Sequence, residues 1–267
     1  MHFQIERQFK NQEIRVPIRT RGKQRIVVKV YHPKMPNTVY FDAAPVIDGA
    51  EMVIVRIPKM PPAVIMEVFN ERHGNIQFDQ SFQVGKIVSR PISLPFMITK
   101  IMNPVVDRFA QFSDEFAEKA GILSARDSIY VSPDGIFKIH YKDVIRDDQG
   151  RELRTPARVH SRTKEIEISR KYYLQYSVPA RKFLNWHEFA HVYMNENPSD
   201  EFEADKHGIT FYLGGGNPTV EAYNGILRLY GNTPSELNRQ RYNDLNAFIK
   251  NFNKIMTGKT GVKTSTK

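Results

Sequence analysis

The 267 residues, 40% hydrophobic and 25% charged, have the balance of a folding chain rather than a disordered one. The absence of cysteine excludes disulfide frameworks, cysteine zinc knuckles and thiol nucleophiles, so any transition metal must be held by His, Asp or Glu. A net charge of +10 bears on partners, favouring nucleic acid, anionic lipid or an acidic protein. Lys and Arg are spread along the chain, however, with loose clusters only at Arg15 to Lys29 and in the last residues, and a solvated basic surface is the plainer reading.

The opening MHFQIERQFK has no apolar core, so no secretory signal is visible. The longest apolar stretches, such as Pro61 to Val68, fall far short of the ~20 residues a membrane span needs. The expectation is a soluble protein of the cytoplasm, or of a particle such as a virion assembled there, with no membrane partner.

Residues 1–104 read as a β-rich domain. Arg25–Val30 and Ala50–Ile57 are runs heavy in Val and Ile, and Pro33, Pro36, Pro45, Pro58, Pro61 and Pro62 argue against long helices. A small sandwich or barrel is expected. From Pro104 the texture changes. Val105 to Ala120 predicts an amphipathic helix, with Val106, Phe109, Phe112 and Phe116 at helical spacing for the core. Strands are expected at Ser128–Val131, Ile136–Tyr141, Ala157–His160 and Glu165–Ile168. Helices follow through residues 183–192, from Asp200, and near Thr219–Leu229 and Pro234–Phe252. Strands followed by helices give an α+β class for residues 105–256. Residues 257–267 are Thr, Lys and Gly with little to bury and are expected to form a flexible basic tail. Gly214-Gly215-Gly216 is a loop rather than a phosphate cradle, because no Lys-Ser/Thr follows it.

The chemistry concentrates in Trp186-His187-Glu188-Phe189-Ala190-His191. His187 and His191, four apart on a helix, share a face and can both reach one ion at about 2.0–2.1 Å. Glu188 lies about 100° round the helix, where it flanks the ion and can move a proton between water and a leaving amine. Phe183, Leu184, Trp186, Phe189, Ala190 and Val192 surround this polar trio with apolar surface, and burying it is costly without a compensating charge. A third ligand is expected downstream. Asn195-Glu196-Asn197-Pro198 breaks the first helix, and Asn197 or Ser199 can cap the next. In Glu201-Phe202-Glu203-Ala204-Asp205-Lys206-His207-Gly208, Glu201 and Asp205 share a face. Glu201 can complete the coordination, Asp205 can accept the free N–H of a ligand histidine, and small Ala204 permits close helix packing. Glu203 is the alternative ligand.

These two runs together resemble the gluzincin metallopeptidases, most nearly the HtpX-like and OMA-like peptidases, and are similar to the ImmA-type zincins. The resemblance covers about residues 183–212. It implies a zincin-like domain holding Zn2+ through His187, His191 and Glu201, with Glu188 as base and Asp205 behind the ligands. The chain departs from the HtpX-like and OMA-like enzymes in lacking membrane segments and in having only nine residues between His191 and Glu201. The metzincin pattern does not apply, because Met194 and Asn197 stand where it needs Gly and His. In such a sheet the strand before the active helix lines the cleft and pairs with an extended substrate, and Lys164–Ile168 is the candidate. Oxyanion stabilisation is expected from Tyr223 or His207, with Tyr212 and Tyr230 also considered.

The expected function is hydrolysis of peptide bonds in a peptide or protein substrate. The alternative is an assembly component of a large particle that keeps the fold with the metal as a structural element. A DNA-binding role rests on charge alone.

Overall fold

The structure is a computed structural model and describes residues 1–74, 79–92, 104–160, 163, 165–231 and 235–256. It is a mixed α+β fold. The first part is a seven-stranded antiparallel sheet built on one long strand. Its strands are β1 (His2–Glu6), β2 (Gln12–His32), β3 (Met35–Ala43), β4 (Val46–Ile57), β5 (Ala63–Asn70), β6 (Phe82–Val84) and β7 (Val88–Pro91). The first half of β2 pairs with β4, β6 and β7, and the second half with β3 and β5. The two predicted β runs are therefore parts of longer strands.

The switch between halves occurs at a bulge, where the register with β4 jumps between Arg19 and Lys23. Gly22 and Gly49 lie within the bulge at φ +69° and +84°, a left-handed backbone that residues with a Cβ rarely adopt. Alternate residues of β2, among them Ile14, Val16, Ile18, Ile26, Val28 and Val30, point inward and are fully buried in one core.

The second part carries α1 (Pro104–Lys119), then β8 (Ser128–Val131), β9 (Lys138–Lys142), β10 (Ala157–Val159) and β11 (Ile166–Ser169). Helices α2 (Arg170–Tyr173), α3 (Val178–Tyr193), α4 (Glu201–Gly214), α5 (Thr219–Gly231) and α6 (Glu236–Met256) follow. Val106, Phe109 and Phe116 of α1 are buried as their spacing requires. Phe109 stacks on Phe189 and meets Trp186 edge-on, so α1 backs the predicted metal helix α3. Fully buried Arg181 of α3 donates to the carbonyls of Ala117, Tyr173 and Leu174, tying α3 to the C-terminal ends of α1 and α2. No helix among the described residues is long and apolar enough to cross a membrane. The expected tail, 257–267, and Pro234 at the expected start of the last helix lie outside the described residues.

The four-stranded sheet runs β10-β11-β9-β8, with β11 parallel to β9 and the other pairs antiparallel. This corrects one expectation. The strand expected to line the cleft, of which residues 166–168 form most of β11, has neighbours on both sides and no free edge. The edge belongs to β10. Lys164 lies outside the described residues.

The β-rich part is fastened to the helices through Glu221 of α5. Its carboxyl accepts the backbone N–H of Asp42 at 2.6 Å and the hydroxyl of Ser177, the residue that caps α3. Asn224, one turn further along α5, donates to the Asp42 carbonyl at 2.8 Å. Burial pushes the Glu221 carboxyl up to about 7, against the opposing pull of the Ser177 and Asp42 donors. The folded protein thus keeps a proton between about pH 4.5 and 7 that the unfolded chain gives up, and stability falls as pH rises through that window. We expect the wild type to lose on the order of 2 kcal/mol from this group between pH 5 and 8. Glu221→Gln should remove that loss in urea titrations across the range. Parallel pH profiles for the two proteins would exclude Glu221 as the cause.

Candidate metal centre

Helix α3 begins at a Ser177 cap, whose side chain accepts the Ala180 N–H, and Pro179 sits in its first turn. Every residue from Val178 to His191 is buried, an arrangement open only to a central helix. Helix α4 begins after Asp200, whose carboxylate accepts the Glu203 N–H at 3.0 Å. The cap is therefore Asp200 rather than Asn197 or Ser199. The close approach of the two helices is set by Gly208 as well as by buried Ala204. A Cβ added at Gly208 would stand 3.1 Å from the His187 backbone nitrogen.

This packing brings together the three donors expected from the sequence. His187 Nε2 and His191 Nε2 are 3.1 Å apart. His187 Nε2 lies 3.3 Å from Glu201 Oε2, and His191 Nε2 lies 3.7 Å from Glu201 Oε1. A tetrahedral ion with bonds of about 2.0–2.1 Å has ligand atoms about 3.3–3.4 Å apart, so the three separations suit one ion. Among the described residues, His187, His191 and Glu201 form the one His/Asp/Glu group able to hold a metal. Glu203 takes no part: its carboxylate faces His207 at 3.7 Å.

The surrounding charges favour a cation at this point. Burial alone would lower the His187 pKa, but the carboxylates of Asp205 and Glu201 outweigh it and lift it to about 10. Burial and the neighbouring His187 hold His191 below its ordinary value. His191 is oriented by the Pro198 carbonyl, 2.8 Å from Nδ1. Asp205 Oδ1 lies 2.9 Å from His187 Nδ1, although the ring nitrogen has no well-aligned hydrogen bond, so the contact is electrostatic. Asp205 in turn accepts the Tyr230 hydroxyl at 2.7 Å and two hydrogen bonds from Arg241, at 2.7 and 3.0 Å. Arg241 also reaches Glu201 Oε2 at 2.8 Å and stacks over the Tyr230 ring.

A cavity of about 500 Å³ opens beside the three donors. Glu188, Pro156 to Val159, Tyr230, Asn238 and Arg241 are among the residues that line it. Burial pushes the Glu188 carboxyl up to about 7, with His187 and the backbone N–H of Val159 on β10 pulling the other way. Tyr223 and His207, the oxyanion candidates, do not line this cavity. Tyr223 packs in the apolar cluster of α5 and α6, and Tyr212 is buried with its hydroxyl on the Pro218 carbonyl. Tyr230 does line it. Arg241 escaped sequence reasoning, although one signal was present: it stands on the same stripe of α6 as buried Leu245 and Ile249.

No protein-family model, curated protein or solved structure matches the chain.

Two outcomes follow from the geometry. Asp205→Asn should weaken the binding of a divalent metal at the three donors about 10- to 100-fold, read by competition with a fluorescent chelator, because an outer partner orients its histidine. An unchanged affinity would show that Asp205 does not orient the site. Arg241→Met removes two hydrogen bonds and one of the two cations facing buried Asp205, leaving His187 and Tyr230, and should cost about 1–3 kcal/mol in urea unfolding.

Proposed function

We propose that the chain is a zinc-dependent peptidase of gluzincin type. The observation that carries this reading is the placement of two imidazole nitrogens and one carboxylate at mutual distances of 3.1, 3.3 and 3.7 Å, with Glu188 lining the same cavity. Two His and one Glu form a ligand set of catalytic zinc sites, in which the fourth position stays open. The Glu201 side chain is 43% exposed, which speaks for access from solvent rather than a plugged structural site.

Bound there, zinc would polarise the scissile carbonyl and bring the pKa of a water towards ~7. The rest of the work falls to the chain. Glu188, which lines the same cavity as the three donors, is placed to take a proton from the attacking water and return it to the leaving amine. The N–H of Val159 orients that carboxylate. The edge of β10 away from β11 borders the cavity and offers backbone groups to an extended peptide, which would pair as an added strand. Tyr230 and Arg241 hold Asp205 and Glu201 in place from the cavity wall.

Glu188→Gln is the direct test. The variant should bind zinc stoichiometrically, measured by elemental analysis, and lose at least 100-fold in peptide cleavage. Cleavage retained by the variant, or none by zinc-loaded wild type across a broad peptide panel, defeats the proposal.

A further inference from the structure

Strand β4 pairs with β2 alone, so its other side is an edge of the amino-terminal sheet. The ladder fixes which backbone groups that edge presents. Pro17 of β2 stands opposite Met52, has no N–H, and turns its carbonyl the other way to accept the Gly85 N–H. Pro17 and Met52 therefore exchange no hydrogen bonds, and the alternation of an antiparallel ladder extends this to Ile54 and Arg56. The N–H and C=O groups of Met52, Ile54 and Arg56 point away from β2. None of them has a partner among the described residues.

Sheet edges are ordinarily shielded by Lys, Pro, a bulge or a covering helix. From Met52 to Val55 the strand is apolar throughout, with no charge and no Pro. Helix α5 stands off from it across a cavity of about 1010 Å³. Glu51, Met52, Val53 and Ile54 all line that cavity. Neighbouring strand residues point to opposite faces, so four in succession place the cavity against the edge itself. Leu174, Tyr176 and Ala180, with Asn224, Leu227 and Arg228 of α5, form the facing wall. Met52, Ile54 and Leu227 are 50%, 42% and 51% exposed, so apolar surface lies open on both banks of the groove.

Outward donors and acceptors recurring at every second residue are matched by the backbone of another extended chain. Each β4 edge faces its own α5, so pairing two folded copies edge to edge would drive helix against helix. A single strand fits between the walls. Side chains of an added strand that fall beside Met52 and Ile54 would cover their exposed surface if apolar. We propose that the groove along β4 binds an extended peptide segment of a partner protein, apolar at alternate positions, as an added strand. The proposal is independent of the metal site.

The test is fluorescence anisotropy of the full chain with a labelled panel of peptides of about eight residues, bearing Val, Ile or Phe at alternate positions and Thr or Glu between. We expect saturable binding by a member of the panel. N-methylation of its amides at one alternate set of positions should weaken binding about tenfold or more, and at the other set less than about threefold, because one set faces β4. Ile54→Pro removes an outward N–H and spares the ladder to β2, while Leu227→Glu puts a charge on the opposite bank. Each should weaken binding about tenfold. Ile122, exposed and outside the groove, is the control, and Ile122→Glu should lose less than about threefold. Circular dichroism checks folding; should Ile54→Pro unfold, Leu227→Glu and the N-methylated pair carry the test. Absence of saturable binding across the panel overturns the proposal, as does equal loss from the two N-methylated sets. A dimer in sedimentation that Ile54→Pro dissolves would assign the edge to a second copy. Binding that appears only once residues 257–267 are removed would assign it to the chain's own end. Either result overturns the proposal.

Discussion

A single buried carboxylate, Asp205, joins four helices. From α4 it faces the His187 ring on α3, accepts the Tyr230 hydroxyl from α5 and holds the Arg241 guanidinium from α6 in a fork. A charge at that depth is costly unless it is matched and hydrogen-bonded, and each partner is placed to meet that demand. The same guanidinium reaches Glu201, so one cation governs the orientation of a donor and of the group behind a donor. Ligand geometry and the packing of the last three helices are thus one problem with one solution.

The proximity of α3 and α4 has a steric origin as well. Gly208 passes so close to the His187 backbone that even a methyl group would press on it at 3.1 Å. Without that approach Glu201 would not come within reach of both imidazoles. The short link through Pro198 does two jobs, since its carbonyl also fixes the ring of His191.

Much of this was legible in the residues. Helical spacing put His187 and His191 on one face and Glu201 and Asp205 on another, and the aromatic period of α1 marked the side that packs on α3. What was hidden depends on contacts distant in sequence. Arg241 reads as an ordinary surface charge on a polar helix until Asp205 is seen 36 positions away. The alternation Glu165, Ile166, Glu167, Ile168 suggests a strand with a wet face. Yet Glu167 is buried, because Lys142 and Arg158 from the flanking strands neutralise it at 2.6 Å. Strand order cannot be read from such a pattern, and so the free edge was assigned to the wrong segment. The length of β2 was masked by Gly22, which reads as a turn but acts as a bulge.

The Glu221 fastening makes the two parts of the chain poor candidates for separation. Ala117 and Val178 insert into the core of the β-rich part, and Ser177 shares its hydroxyl between the start of α3 and Glu221. A fragment beginning near residue 104 would open that junction to water. Glu221 would then ionise freely, the apolar faces of Ala117 and Val178 would lose their cover, and the first turn of α3 would lose its neighbour on β3. The amino-terminal sheet therefore completes the core on which the helix that bears the histidines is seated.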